Sequence, residues 1–351
     1  LDQWTPEIKL GSYGSRSFSV AYDRGYGKTS LISSLGHANS NGHRFNSGYE
    51  QTRFSLKINR SLSNDQKIQL SYLGCNSFNG QPGFVYPDNP GLISYRESYR
   101  FSNYLQLYYK RMINEYLFSV SLATNHFKTD YKDRDDTPVD DLRDNTNYRD
   151  HSYMARAQLQ RFFNDGDNII IGSEISLDQS RSNVLRNIYE QPEQKTSAGF
   201  AKYRMKLRDN LILDMGVRYD YRDVTGGEGY SIKSFQALSP KISLIYDMNS
   251  SLITYLSYNK GFRAPSISEL FLEYESSYGL LLQGNPTLKP ESLNSIESGF
   301  KLQKEGVSYF GNVFFNQYSD MIDFIYTIPV RSVNRETVKG IGAELGSNLY
   351  I

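Results

Sequence analysis

Several things are scarce in this sequence, and each scarcity removes a class of protein. A single cysteine, Cys75, leaves no partner for an intrachain disulfide and no set of thiolates for a zinc site. The four histidines, His37, His43, His126 and His151, show no metal-ligand spacing. No Gly-x-Ser-x-Gly turn is present to expose a nucleophilic serine, so no enzyme class finds support. The run 25–30, GYGKTS, resembles a phosphate-binding loop only superficially: Tyr22 stands where that motif needs glycine, and the segment reads as a hairpin turn. An excess of either charge is also missing, with 39 Lys and Arg against 38 Asp and Glu. A nucleic-acid partner, which requires a basic stripe to displace counterions, is therefore not expected. Nor does any apolar run approach the length of about eighteen to twenty residues that a membrane helix needs. That last absence leaves membrane strands open, because a barrel strand needs only every second residue apolar.

What is abundant is aromatic and β-favouring: 29 Tyr, 19 Phe and 27 Gly, with only one Trp. Period-two alternation recurs along the chain. In 211–222, Leu211, Leu213, Met215, Val217, Tyr219 and Tyr221 alternate with a series containing Asp214, Gly216, Arg218, Asp220 and Arg222. The segments around 53–59, 68–72, 101–109, 116–122, 169–177 and 309–315 repeat it. Connections fall into two alternating kinds. Short polar turns lie near 63–66, 112–115, 164–167, 208–210, 247–251 and 304–306. Longer segments lie near 37–48, 74–97, 129–150, 179–194, 223–233 and 261–290. Short turns at one end and long loops at the other describe an all-β transmembrane antiparallel up-and-down barrel in the outer membrane, of about sixteen or seventeen strands. A soluble β-sandwich is the competing reading; it would bury the same greasy positions between two sheets.

The longest loop carries a specified order of residues. Gly261-Phe262-Arg263-Ala264-Pro265-Ser266 is followed by Glu269-Leu270-Phe271, then Gly284-Asn285-Pro286, Leu288 and Pro290-Glu291, and Glu297-Ser298-Gly299. Downstream come Phe315-Asn316, Ile322, Val333-Asn334, Gly340-Ile341 and Glu344. This pattern resembles the barrel signature of TonB-dependent outer-membrane receptors, in the branch that imports cobalamin or iron-siderophores. The resemblance implies energised transport without bond chemistry: a scarce ligand binds at the extracellular mouth and passes a plugged lumen, driven by the TonB complex acting through the plug. It also implies about twenty-two strands in the closed barrel. The expectation is therefore that residues 1–351 form one incomplete barrel domain, with the plug and the C-terminal strands outside this sequence. Beginning at Leu1 without a secretory signal, the chain reads as a mature or truncated product. A passive porin-like channel or a surface adhesin is the alternative from another functional class.

Two loop groups are candidates for binding. Phe84 and Tyr86, Tyr95, and Tyr274 and Tyr278 can present rigid aromatic faces to a ligand, or can simply pack on one another. The segment 130–150 holds eight aspartates, among them Asp133, Asp135, Asp136, Asp140 and Asp141, an oxygen-rich set for structural calcium. Lys132, Arg134, Arg143 and Arg149 are interspersed, as in a solvated loop; calcium aside, no cofactor is expected. Arg263 reads as an anchor for the loop or the plug.

Overall fold

The computed structural model describes residues 3–82, 95–132, 145–163, 166–183, 191–226, 232–276 and 279–349. The strands are β1 (Gln3–Leu10), β2 (Arg16–Tyr26), β3 (Thr29–Ser40), β4 (Tyr49–Ser61), β5 (Gln66–Gln81) and β6 (Arg96–Ile113). They continue with β7 (Tyr116–Lys132), β8 (Asn145–Phe162), β9 (Asn168–Ser182), β10 (Glu193–Arg208), β11 (Leu211–Thr225), β12 (Lys233–Asn249) and β13 (Leu252–Arg263). After the short helix α1 (Ile267–Phe271) come β14 (Glu273–Ser276), β15 (Gly279–Gln283), β16 (Glu291–Lys304), β17 (Val307–Ile325) and β18 (Val330–Leu349). All eighteen strands belong to one sheet. Each long strand pairs antiparallel with the next, and β13 pairs directly with β16. The brief hairpin β14–β15 branches from the long connection and touches β18 through two parallel pairs. Leaving that hairpin aside, sixteen long strands run up and down, within the range expected from the sequence.

Among the described residues no second sheet packs on the first: strands contact their ladder neighbours and little else. The sandwich reading is therefore excluded. The greasy positions instead face outward. On β6, Leu105 and Leu107 are exposed, as are Leu122, directly opposite Leu107, and Phe118 further along the same face of β7. On β8 and β9 the same face carries Tyr153, Leu159, Ile171 and Ile175. The alternate positions are polar and face the inside of the curved sheet, where charges neutralise one another. Arg204 forks onto Asp214 at 2.8 and 2.6 Å, and Arg218 bridges Asp220 and Glu174, each at 2.9 Å.

The hydrocarbon belt has visible margins. Near the short turns, the outward positions become Arg60, Arg111 and Arg161, and the Arg161 guanidinium lies 5.3 Å from the centre of the Tyr116 ring. Towards the long loops, the apolar row Tyr258, Ile296, Phe315 and Ile341 gives way to Lys260, Asn294, Gln317 and Lys339 in register. The ladders do not stop there. β17 has 19 residues and β18 has 20, against the roughly nine to eleven that suffice to cross a bilayer.

This length corrects the sequence-based loop boundaries. β5 continues to Gln81, β7 to Lys132 and β9 to Ser182, and β8 begins at Asn145, so much of 74–97, 129–150 and 179–194 is strand. Above the belt both faces meet water, so alternation fades while backbone pairing persists. The 25–30 segment is indeed a two-residue hairpin, with Gly27 at φ 56°. Among the described residues no ladder joins β1 to β18, so the sheet has two open edges.

If Leu107 faces lipid, Leu107→Arg should weaken insertion into vesicles by about 2–4 kcal/mol, as measured by reversible urea unfolding. Gln106→Arg, one residue away and hydrogen-bonded to Ser121 on the inner face, should change it little. Equal costs at the two positions would refute the assigned faces.

Candidate functional site

The connection from β13 to β16 folds back into the mouth of the sheet, and its sequence explains how. Ser266 caps α1: its hydroxyl accepts the Glu269 N–H at 3.2 Å, while the Glu269 carboxylate accepts the Ser266 N–H at 2.8 Å. A helix of five residues has too few internal hydrogen bonds to stand alone. Tertiary contacts hold it. Leu270 and Phe271 are buried against Val224, Phe235, Ala264 and Leu288, the main apolar cluster among the described residues. Burying two such side chains supplies about 3–6 kcal/mol before entropy is counted.

Polar contacts then lock the helix to the wall. Arg263, the last residue of β13, reaches two carboxylates at once. It donates to Glu291 at 2.7 and 2.8 Å and to Glu269 at 2.9 and 3.1 Å. Glu291 also accepts the Ile322 N–H at 2.6 Å, tying β16 to β17. On the far side of the loop, the Gly284 and Asn285 amides donate to the Leu272 and Glu269 carbonyls of α1's flank and body. The Asn285 side chain donates to the Ser332 carbonyl of β18 at 3.0 Å. Asn334 completes the closure, donating to the Lys289 and Asp320 carbonyls at 2.9 and 2.7 Å and accepting the Lys289 N–H. Pro286 and Pro290, which offer no amide hydrogen, fall in the irregular stretch before β16. Gly261 and Phe262 sit in β13 opposite Leu293 and Ser292, and Phe262 packs on the helix cluster.

The Glu291 carboxyl, three residues above the outward Lys260–Asn294 row, lies beyond the membrane-spanning part. Its pKa is held below the ordinary 4.5, first by the Arg263 hydrogen bond and then by the Ile322 N–H. A depressed carboxylate pKa contributes stability that is complete above the unfolded value and is lost as pH falls through the folded one. The α1 latch should therefore loosen only below about pH 4.5, seen as faster amide exchange in 264–290, and Glu291→Gln should abolish that pH dependence.

Because α1 projects inward, Ser266–Ser268 face the inner wall of β7–β10 across a cavity of about 490 Å³. Its lining includes Phe127 and Ile267 alongside Ser152, Ser180, Asp150 and Asp178. The hydroxyls are already committed: Ser180 donates to Asp150 at 2.5 Å and Ser152 to Asp178 at 2.6 Å. This preset array of carboxylates, hydroxyls and an aromatic face is suited to holding a multi-donor ligand.

Of the aromatics expected to meet a ligand, Tyr95 is exposed at the mouth, with its ring edge-on to Phe45 at 5.3 Å between centroids. Tyr274 falls in β14, a short strand within the segment expected to be loop. Phe84, Tyr86 and Tyr278 lie outside the described residues, as do Asp133, Asp135, Asp136, Asp140 and Asp141. No group of three metal-ligating side chains occurs among the described residues. Asp150 was missed as a site residue because 129–150 read as a loop, in which it is one acid among many. Placing it in β8 turns it inward beside Asp178.

Known proteins resemble this chain over its whole length. The family model described as TonB dependent receptor-like, beta-barrel, matches residues 4–350. TonB-dependent heme receptor A of Haemophilus influenzae (strain 86-028NP) is 30% identical over 104 residues, covering 26% of this chain and 14% of that protein. The Ferrienterobactin receptor of Escherichia coli (strain K12) is 27% identical over 135 residues, covering 34% of this chain and 16% of that protein. Among solved structures, a double mutant of the Serratia marcescens hemophore receptor HasR, in complex with its hemophore HasA and heme, superposes with a TM-score of 0.77 at 16% identity. That superposition covers 99% of this chain and 60% of HasR. The Copper transporter OprC superposes at 0.82 with 12% identity, over 100% of this chain and 59% of OprC. The chain thus spans about 60% of the solved structures, and its matches to the curated relatives cover about a seventh of their length.

Proposed function

The chain belongs to the TonB-dependent receptor β-barrel family, whose members are outer-membrane proteins of Gram-negative bacteria, and on that premise we propose that it forms the greater part of the barrel of an active-transport receptor. The receptor binds an iron-bearing small molecule, heme or a ferric siderophore, at the extracellular mouth. A plug outside this sequence, coupled to TonB, gates its passage. One observation carries the reading: a specified loop is latched inside the mouth by Arg263, Glu269 and Glu291, over a polar cavity in the inner wall. The heme and enterobactin relatives favour iron ligands over cobalamin.

The open edges of β1 and β18 support the further proposal that additional strands close the barrel. Unpaired amides facing hydrocarbon would cost several kcal/mol each.

A strain lacking the receptor, complemented with the full-length gene, is the direct test. Growth on limiting iron should be restored by heme or by a ferric siderophore and should require an intact TonB system. Rescue by cobalamin alone would overturn the ligand class. Rescue without TonB would make the protein a passive channel.

A further inference from the structure

The outward face of β7–β9 carries a feature that ligand uptake does not use. Just above the row Thr124, Tyr153 and Leu177, which turns an aromatic ring, an isobutyl group and a methyl outward, lies the pair His126 and His151, with Nδ1 atoms 3.0 Å apart. Above that, in register across three strands, stand Lys128, Arg149 and Arg181. Lys128 is compensated by Asp130 at 2.6 Å. Arg149 and Arg181 are exposed, directly opposite one another, and neither has an ion pair or hydrogen bond among the described residues. Like charges facing each other across an antiparallel pair destabilise it, so the arrangement is at a disadvantage until an anion sits between them.

Position identifies the anion. Arg149 is four residues above Tyr153, the last exposed aromatic of the belt on β8. At about 3.3 Å per residue on a strand tilted about 40°, its Cα stands roughly 10 Å above that ring's Cα. A guanidinium there reaches the headgroup layer, while the residues below meet acyl chains. Other outward charges near this level are spaced apart or paired: Lys260 and Lys339 are separated by Asn294 and Gln317, and Lys195 is 2.7 Å from Glu193.

We propose that Arg149 and Arg181, flanked by Lys128 and the His126–His151 pair, form a site on the barrel exterior for the phosphate headgroup of an acyl-chain lipid in the outer leaflet. Two guanidiniums can grip phosphate oxygens bidentately, and the greasy row beneath seats the chains.

The test uses the full-length receptor in neutral detergent, exposed to mixed micelles containing a bisphosphorylated lipid A or its dephosphorylated counterpart. Retained lipid is counted by native mass spectrometry. The wild type should retain the phosphorylated lipid preferentially. Arg149→Gln/Arg181→Gln should lower its affinity on the order of thirty-fold while keeping the gel mobility of a folded barrel. Arg149→Lys/Arg181→Lys should fall between them. The site would be refuted by equal retention in wild type and the Gln variant, or by equal retention of both lipids. Displacement of the lipid by inorganic phosphate at matched concentration would refute the lipid as occupant.

Discussion

Replacing Arg263 with alanine is expected to free α1 from the barrel mouth and to reduce ligand uptake more than tenfold. Among the described residues the guanidinium is the only cation paired with Glu269 and Glu291, whose side chains are 13% and 17% exposed. Its removal forfeits four charge-assisted hydrogen bonds and leaves two poorly hydrated carboxylates facing each other. Because Arg263 itself is 44% exposed, screening tempers the loss, and about 2–4 kcal/mol of local stability is the expected scale. Arg263→Lys keeps the charge but cannot fork onto both partners, so it should recover only part. Amide exchange across 264–290 reads the latch directly. Unchanged exchange in Arg263→Ala would show that the apolar cluster holds α1 unaided.

Gly284→Ala should be at least as damaging, although it adds only one methyl group. A Cβ at that position would sit 2.6 Å from the Leu270 carbonyl carbon and oxygen and 2.7 Å from the Phe271 nitrogen. Those are backbone atoms of α1, so no rotamer change can relieve the clash. Either the helix lifts off its cluster, exposing Leu270 and Phe271, or the Gly284-Asn285-Pro286 turn swings away and Asn285 loses its bond to the Ser332 carbonyl. Overpacking costs about 1–3 kcal/mol, and reaches the upper end or beyond where, as here, the obstructing atoms are backbone. The matched control is Gly340→Ala in β18, where an added Cβ meets nothing within 4 Å. It should leave unfolding and uptake within experimental error. Similar effects at the two positions would mean that Gly284 matters only for chain flexibility.

Both predictions arise where sequence and structure met most closely. The order Gly-Phe-Arg-Ala-Pro, then Gly-Asn-Pro, then Pro-Glu was conspicuous as a string, and the fold shows why these residue types are needed: a forked cation at the end of β13, a cap, a side-chain-free approach and a carboxylate at the start of β16. The hairpin β14–β15 inside that loop was invisible, because strands of four and five residues are too short for alternation to show. The inner-wall Asp150 was hidden for a related reason: no hydrocarbon marks the outer face above the belt.

The sequence by itself determined the architecture of this protein, because an every-other-residue contact with lipid is written locally, strand by strand, and short polar turns need no distant partner. It also determined the family, through residues that must occur in a fixed order along one loop. Only the tertiary structure decided which residues meet: that Arg263 answers two carboxylates, that α1 roofs a cavity on a wall several strands away, and that Arg149 faces Arg181. Those encounters depend on strand register and on the curvature of the sheet, which sum over many ladders and leave no trace in any single segment.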